Sequence, residues 1–169
     1  MERLVSVEPV GDGPVGDGVV IRPRFDPVAR SFASLTDEQW DVAFERPVLD
    51  TVDALRRAHL DGARRIVVVL PVLAMSGGSQ YAHVAAPSEA IRVLVKSAAK
   101  QWGPSGTTVN VLMVGSSEMI DDPAAAGPVS IAPPALASTD PAAVIDFLCS
   151  PAADHFTGQT ITVDGGVWM

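Results

Sequence analysis

Apolar positions along the chain fall into two alternating kinds of segment. Short runs rich in β-branched residues occur at Val19-Val20-Ile21, from Ile66 to Leu70, from Thr107 to Val114 and from Gln159 to Val163. Each predicts a strand. The two central runs show almost no polar alternation, as in strands covered on both faces of a parallel sheet. Helical signals lie between them. Thr36-Asp37-Glu38-Gln39 is a capping box, in which the Thr hydroxyl and the Gln side chain satisfy opposite orphan N–H groups ahead of Trp40, Ala43 and Phe44. Pro47, which has no N–H, is expected to interrupt or restart that helix. Val48, Val52 and Leu55 then recur at helical spacing until Gly62. A second helix is predicted from Pro87 to about Trp102, stopped by Gly103-Pro104. Its Ile91, Val93, Leu94, Val95, Ala98 and Ala99 are apolar on more than one face, so it sits deep in a core or packs on another subunit. A third helix opens at Asp140-Pro141 and points Val144, Phe147 and Leu148 inward. Residues 121–138, rich in Ala and Pro, read as one long loop. This alternation predicts an α/β fold, an open and mostly parallel sheet with helices on both faces.

Composition narrows the partners. A chain of 169 residues that is 47% hydrophobic and 19% charged suits a single globular domain. Its net charge of −8 and pI near 4.7 make nucleic acid and anionic membrane poor partners. One cysteine, Cys149, excludes an intramolecular disulfide framework. His59 and His155 have no spacing that suggests a metal site, and no metal is expected. No run approaches the roughly 18 apolar residues that span a bilayer, and a cytoplasmic location is expected.

Gly11-Asp12-Gly13-Pro14-Val15-Gly16 matches G-x-G-x-x-G formally. That motif needs a helix behind it to receive a pyrophosphate. Here a strand pattern follows, and Asp12 and Asp17 add negative charge. A turn is therefore expected, letting Arg3 to Val10 pair antiparallel along the sheet edge.

From Leu35 onward the sequence resembles the short-chain dehydrogenase/reductase family. Leu35-Thr36-Asp37-Glu38-Gln39-Trp40 resembles its L-T-D-E-x-W helix start, and Arg64 to Val69 is similar to its G-R-I-V-N-I strand. Val109-Asn110-Val111 resembles V-N-x-V, and Thr157 to Gly166 resembles T-G-Q-x-x-x-V-D-G-G. The resemblance implies a Rossmann-like core over residues 19–169. Residues 1–18 would form a short strand and Gly-rich turn in place of the family's nucleotide-binding half.

The same register implies that the family's catalytic Asn, Ser, Tyr and Lys are replaced by Pro47, Pro71, Val84 and Ser88. Apart from that register, carbonyl reduction of this kind needs a phenol whose pKa is lowered by an ammonium one helical turn along. The one tyrosine, Tyr81, is followed four residues later by Ala85, and the only lysines are Lys96 and Lys100. At the end of the first core strand the family's N-N-A-G is Arg22-Pro23-Arg24-Phe25. Its P-G, after the later strand, is Val114-Gly115. No NAD or NADP cofactor is expected.

Ligands of open α/β sheets bind beyond the carboxyl ends of the strands. Arg22, Arg24, Ser88 and Ser116 are the binding candidates there, alongside Ser117 and Glu118. The two arginines either clamp an anion or are solvated or paired with Asp17 or Asp26. Tyr81 and His83 are either a general acid/base pair or a packed ring beside a surface histidine. Cys149 is expected to be buried rather than reactive. The leading expectation is a subunit without NAD(P)-dependent chemistry, structural or regulatory, in a homodimer or a hetero-oligomer with a related protein. Helices 48–59 and 87–102 and the C-terminal strand would make the contact, since the resembled family uses these elements between subunits. Two alternatives remain open: a cofactor-free lyase, isomerase or hydrolase, or a binding protein for a small acid or acyl ligand.

Overall fold

The computed structural model describes residues 5–10, 18–122 and 140–166. The 11–16 glycine motif lies outside the described residues, as does the 121–138 loop beyond Asp122. Five strands form one sheet in the order β1 (Val5–Val10), β2 (Gly18–Pro23), β3 (Arg65–Pro71), β4 (Thr108–Val114) and β5 (Thr160–Val163). β2 to β5 are parallel, and β1 pairs antiparallel to β2 with Val5 opposite Pro23 and Val10 opposite Gly18. The expected edge strand is thus present over Val5–Val10.

Alternation along β3 and β4 divides the core. Ile66, Val68, Leu70, Val109, Val111 and Met113 face α1 (Asp37–Leu60) and α3 (Ala82–Trp102), meeting Leu55, Ile91 and Val95. Val67, Val69, Leu112 and Val114 face the other way, onto Ile145 and Leu148 of α4 (Ala142–Leu148). Both faces of the central strands are therefore covered, which explains their unbroken apolar runs. Within α4 Ile145 and Leu148 are buried, and Val144, partly buried, packs against the same cluster as expected. Phe147 is 40% exposed, contrary to expectation, because it packs edge-on against Phe156 outside the core.

Two proline expectations are corrected. α1 begins with the predicted capping box, Gln39 N–H to Thr36 Oγ1 and Thr36 N–H to Gln39 Oε1, and then runs unbroken through Pro47 for 24 residues. α3 starts at Ala82, five residues before Pro87, because Val84 and Ala85 both donate to the Tyr81 carbonyl and establish the first turn. Each proline removes one helical hydrogen bond. Both are buried, and packing outweighs that loss.

The segments that carry the family resemblance have a structural job. The Asn110 amide donates to the Phe156 carbonyl at 2.7 Å and accepts the Gln159 N–H at 3.0 Å. Thr157 Oγ1 accepts the Val109 N–H, and Gly158, at φ +68°, donates to the Val109 carbonyl. V-N-V and T-G-Q are two halves of one clasp that seats β5 on β4.

Candidate functional site

The carboxyl ends of β2, β3 and β4 open onto a common rim. Past β2 the chain runs through Arg24 and Phe25. Past β3 it enters α2 (Leu73–Ser76), and past β4 it reaches Ser116. Ser116 Oγ accepts the Leu73 N–H at 3.2 Å, so this binding candidate holds the short helix α2 against the strand ends. Two cavities lie on this rim. One, of about 650 Å³, is lined by Arg22, Arg24, Phe25, Ser117, Met119 and Asp121 among others. The second, of about 440 Å³, is lined by Arg24 and Phe25 together with Leu35, Val42, Ala43 and Pro47, and by the charged pair Asp26 and Arg30. Arg22 and Arg24 thus come together, and Arg24 borders both spaces. Asp26, offered from sequence as a partner for these arginines, instead forms a 2.6 Å ion pair with Arg30.

The start of α3 is closed. Val84 and Ser88 are fully buried, and the Ser88 hydroxyl donates to the Val84 carbonyl at 2.7 Å. Pro71 and Pro47 are buried as well. Tyr81 and His83 lie side by side with ring centroids 6.0 Å apart, but both are buried. The surface placement considered for His83 is therefore corrected: its ring belongs to the interior because α3 begins at Ala82 and turns position 83 inward. Tyr81 Oη accepts the Asp122 N–H at 3.1 Å, fastening the chain after β4 to the start of α3. On the other side, Arg30 N–H donates to the Gln80 carbonyl at 2.8 Å, and Gln80 holds φ at +64°. Neither ring nitrogen of His83 has a hydrogen-bond partner among the described residues.

Burial lowers the His83 pKa below its ordinary 6.5. The Asp26 carboxylate and the backbone of Asp26 and Val28 oppose that shift, and the Arg30 charge adds to it. The folded state binds this proton less readily than the unfolded chain. The contribution is full above pH 6.5 and is lost as pH falls below it. Urea unfolding between about pH 7.5 and 5.5 is expected to show stability falling toward the acid end, by at most about 1.4 kcal/mol per pH unit for one proton. His83→Leu should flatten that slope.

Cys149 is buried as expected, and burial pushes its thiol up to about 11. Among the described residues no group of three or more His, Cys, Asp or Glu side chains could hold a metal, and no helix is long and apolar enough to cross a membrane.

A different surface lies on the outer faces of α1 and α3. There a groove of about 450 Å³ is lined by Val52, Leu55, Leu60, Leu94 and Ala98, and it ends at a stacked pair, His59 on Trp102, with centroids 4.4 Å apart. Leu60 is 77% exposed and Val93, on the same helix as Leu94, is 54% exposed.

Parallel strand order, helices on both faces and the clasped C-terminal strand define an α/β protein of Rossmann-like architecture. The chain belongs to the short-chain dehydrogenase/reductase superfamily: residues 18–168 match the family described as enoyl-(acyl carrier protein) reductase. It is 30% identical to the 3-oxoacyl-[acyl-carrier-protein] reductase FabG of Vibrio cholerae over 149 residues, covering 80% of this chain and 60% of that protein. The Staphylococcus aureus protein of the same name is 28% identical over 146 residues, with coverage of 80% and 59%. The chain therefore spans about 60% of the length of the curated relatives it matches. Among solved structures, a short-chain oxidoreductase from Pseudomonas aeruginosa, described as containing an atypical catalytic center, superposes with a TM-score of 0.70 at 22% identity. That match covers 90% of this chain and 67% of the other. A Brucella melitensis short-chain dehydrogenase/reductase superposes at 0.62 with 26% identity, covering 83% and 61%.

Proposed function

We propose that this polypeptide is a non-redox member of its superfamily that acts as a structural or regulatory subunit, in a homodimer or in a hetero-oligomer with a related protein. The observation that carries this reading is the state of the α3 start. The positions that would hold the phenol and the ammonium are Val84 and Ser88, both buried and packed. A pyridine nucleotide does not fit the residues present as a hydride partner. No phenol or ammonium faces the rim from α3, and Arg22-Pro23-Arg24-Phe25 stands where the family lines the nucleotide site. The cofactor-free enzyme reading draws no support from Tyr81 and His83, whose reactive atoms are sealed from solvent.

The outer groove on α1 and α3 supports assembly, since exposed Leu60 lines a mainly carbon-walled hollow rather than standing singly. Helices 48–59 and 87–102, with the C-terminal strand, would carry the contact. Light scattering at micromolar concentration tests this. A dimer, or co-purification with a full-length relative, is the expected result, and a monomer with no partner recovered overturns it. Leu60→Glu should weaken association at least tenfold, by placing a carboxylate in the contact. It should leave the stability of the separated subunit within about 0.5 kcal/mol, since the site is exposed.

A further inference from the structure

We infer that the two rim cavities form one binding site for an amphipathic monocarboxylate, a carboxylate head on an unbranched aliphatic chain. Arg24 and Phe25 line both spaces, so the cavities adjoin across these two side chains. Each falls in the size range of small-molecule sites. Their linings differ in kind. The 650 Å³ space carries Arg22 and Arg24 with the Ser117 hydroxyl. The 440 Å³ space is walled mainly by carbon, from Phe25, Leu35, Val42, Ala43 and Pro47.

Arg22, near the end of β2, and Arg24, just past it, both line the larger space. A guanidinium has five N–H donors in a planar fork, so an arginine already engaged on one edge can still hold a carboxylate on the other. The single carboxylate of the head space, Asp121, repels a second anionic group, which favours a monoacid over a diacid. The tail is directed by the contrast in lining, because an aliphatic chain leaving Arg24 meets a predominantly apolar wall in the smaller cavity, whereas in the larger one Pro27, Met119 and Ile120 are interspersed with Arg22, Ser117 and Asp121. Of the smaller cavity's charged lining besides Arg24, Asp26 and Arg30 are joined as an ion pair, and the Glu38 carboxylate, like Asp121, disfavours a second anionic group on the ligand. The site is independent of whether the chain assembles.

Calorimetric titration of the intact chain with the straight-chain acids from butanoate to dodecanoate, each below its micelle threshold, tests this. Affinity is expected to rise about fourfold per added methylene until the smaller cavity is filled, then to level off. The matching 1-alkanols should bind at least tenfold more weakly, for want of a charge-assisted bond. Arg24 is exposed, so Arg24→Gln should fold normally and lose at least tenfold in affinity for every acid. Val42→Asp, also at an exposed position, should abolish the chain-length dependence while keeping butanoate binding. No binding of any acid, equal binding of acids and alkanols, affinity independent of chain length, or an undiminished Arg24→Gln each overturns the assignment.

Discussion

Ser88→Lys is expected to destabilise the fold by about 3–5 kcal/mol at neutral pH, a large part of the stability of a domain this size. Position 88 is fully buried on the inward face of α3, and its hydroxyl is satisfied within the helix by the Val84 carbonyl. An ammonium there loses its water. The lysine pKa must fall on folding, so the penalty is greatest well below the ordinary lysine value and shrinks as pH rises toward it. Adding Val84→Tyr makes matters worse, because Val84 is packed among Leu73, Tyr81 and Ile120 with no space for a ring. Urea unfolding of both variants, with ketone-dependent NADPH oxidation measured alongside, checks the expectation. A well-folded double variant that oxidises NADPH would show that the site had only lost its reagents, and would overturn the statement that a pyridine nucleotide does not fit it.

The second large effect concerns Gly18, the first residue of β2. A Cβ at this position would lie 2.6 Å from Cys149 Sγ and 2.7 Å from Cys149 Cβ, well inside contact distance. Gly18→Ala is therefore expected to cost about 1–3 kcal/mol by overpacking, through displacement of the end of α4 from the sheet. The partner change is specific. Cys149→Ala in the same chain relieves only the sulfur contact and should recover part of the loss, whereas Cys149→Gly removes both contacts. The coupling from a double-mutant cycle should exceed 0.5 kcal/mol, as for residues in direct contact. Additive effects would place the two residues apart.

The strands were legible in the sequence because a buried parallel sheet leaves an unmistakable trace: Ile66 to Leu70 and Val109 to Val114 have nowhere polar to point. The capping box at Thr36 was equally readable, since it is a local bargain between neighbouring residues. The prolines misled because the loss of one hydrogen bond is a local penalty, while the packing that holds Pro47 and Pro87 inside helices is tertiary. Phe147 misled for the reverse reason, since its partner Phe156 lies outside the helix. At the rim, the arginines were visible as charges at a strand end. That Arg24 separates two cavities was not, because Pro47 and Val42 reach the second one from a distant helix. The inward turn of His83 followed from where α3 begins, a boundary hidden behind Pro87.

The antiparallel course of β1 constrains anyone who would rebuild a dehydrogenase from this scaffold. Backbone donors and acceptors on that flank of β2 are already committed from Val5 opposite Pro23 to Val10 opposite Gly18. A grafted nucleotide-binding unit could not simply be spliced ahead of Gly18 and expected to zip on; the resident β1 would have to be excised first, and an intact graft would compete with it for the same ladder.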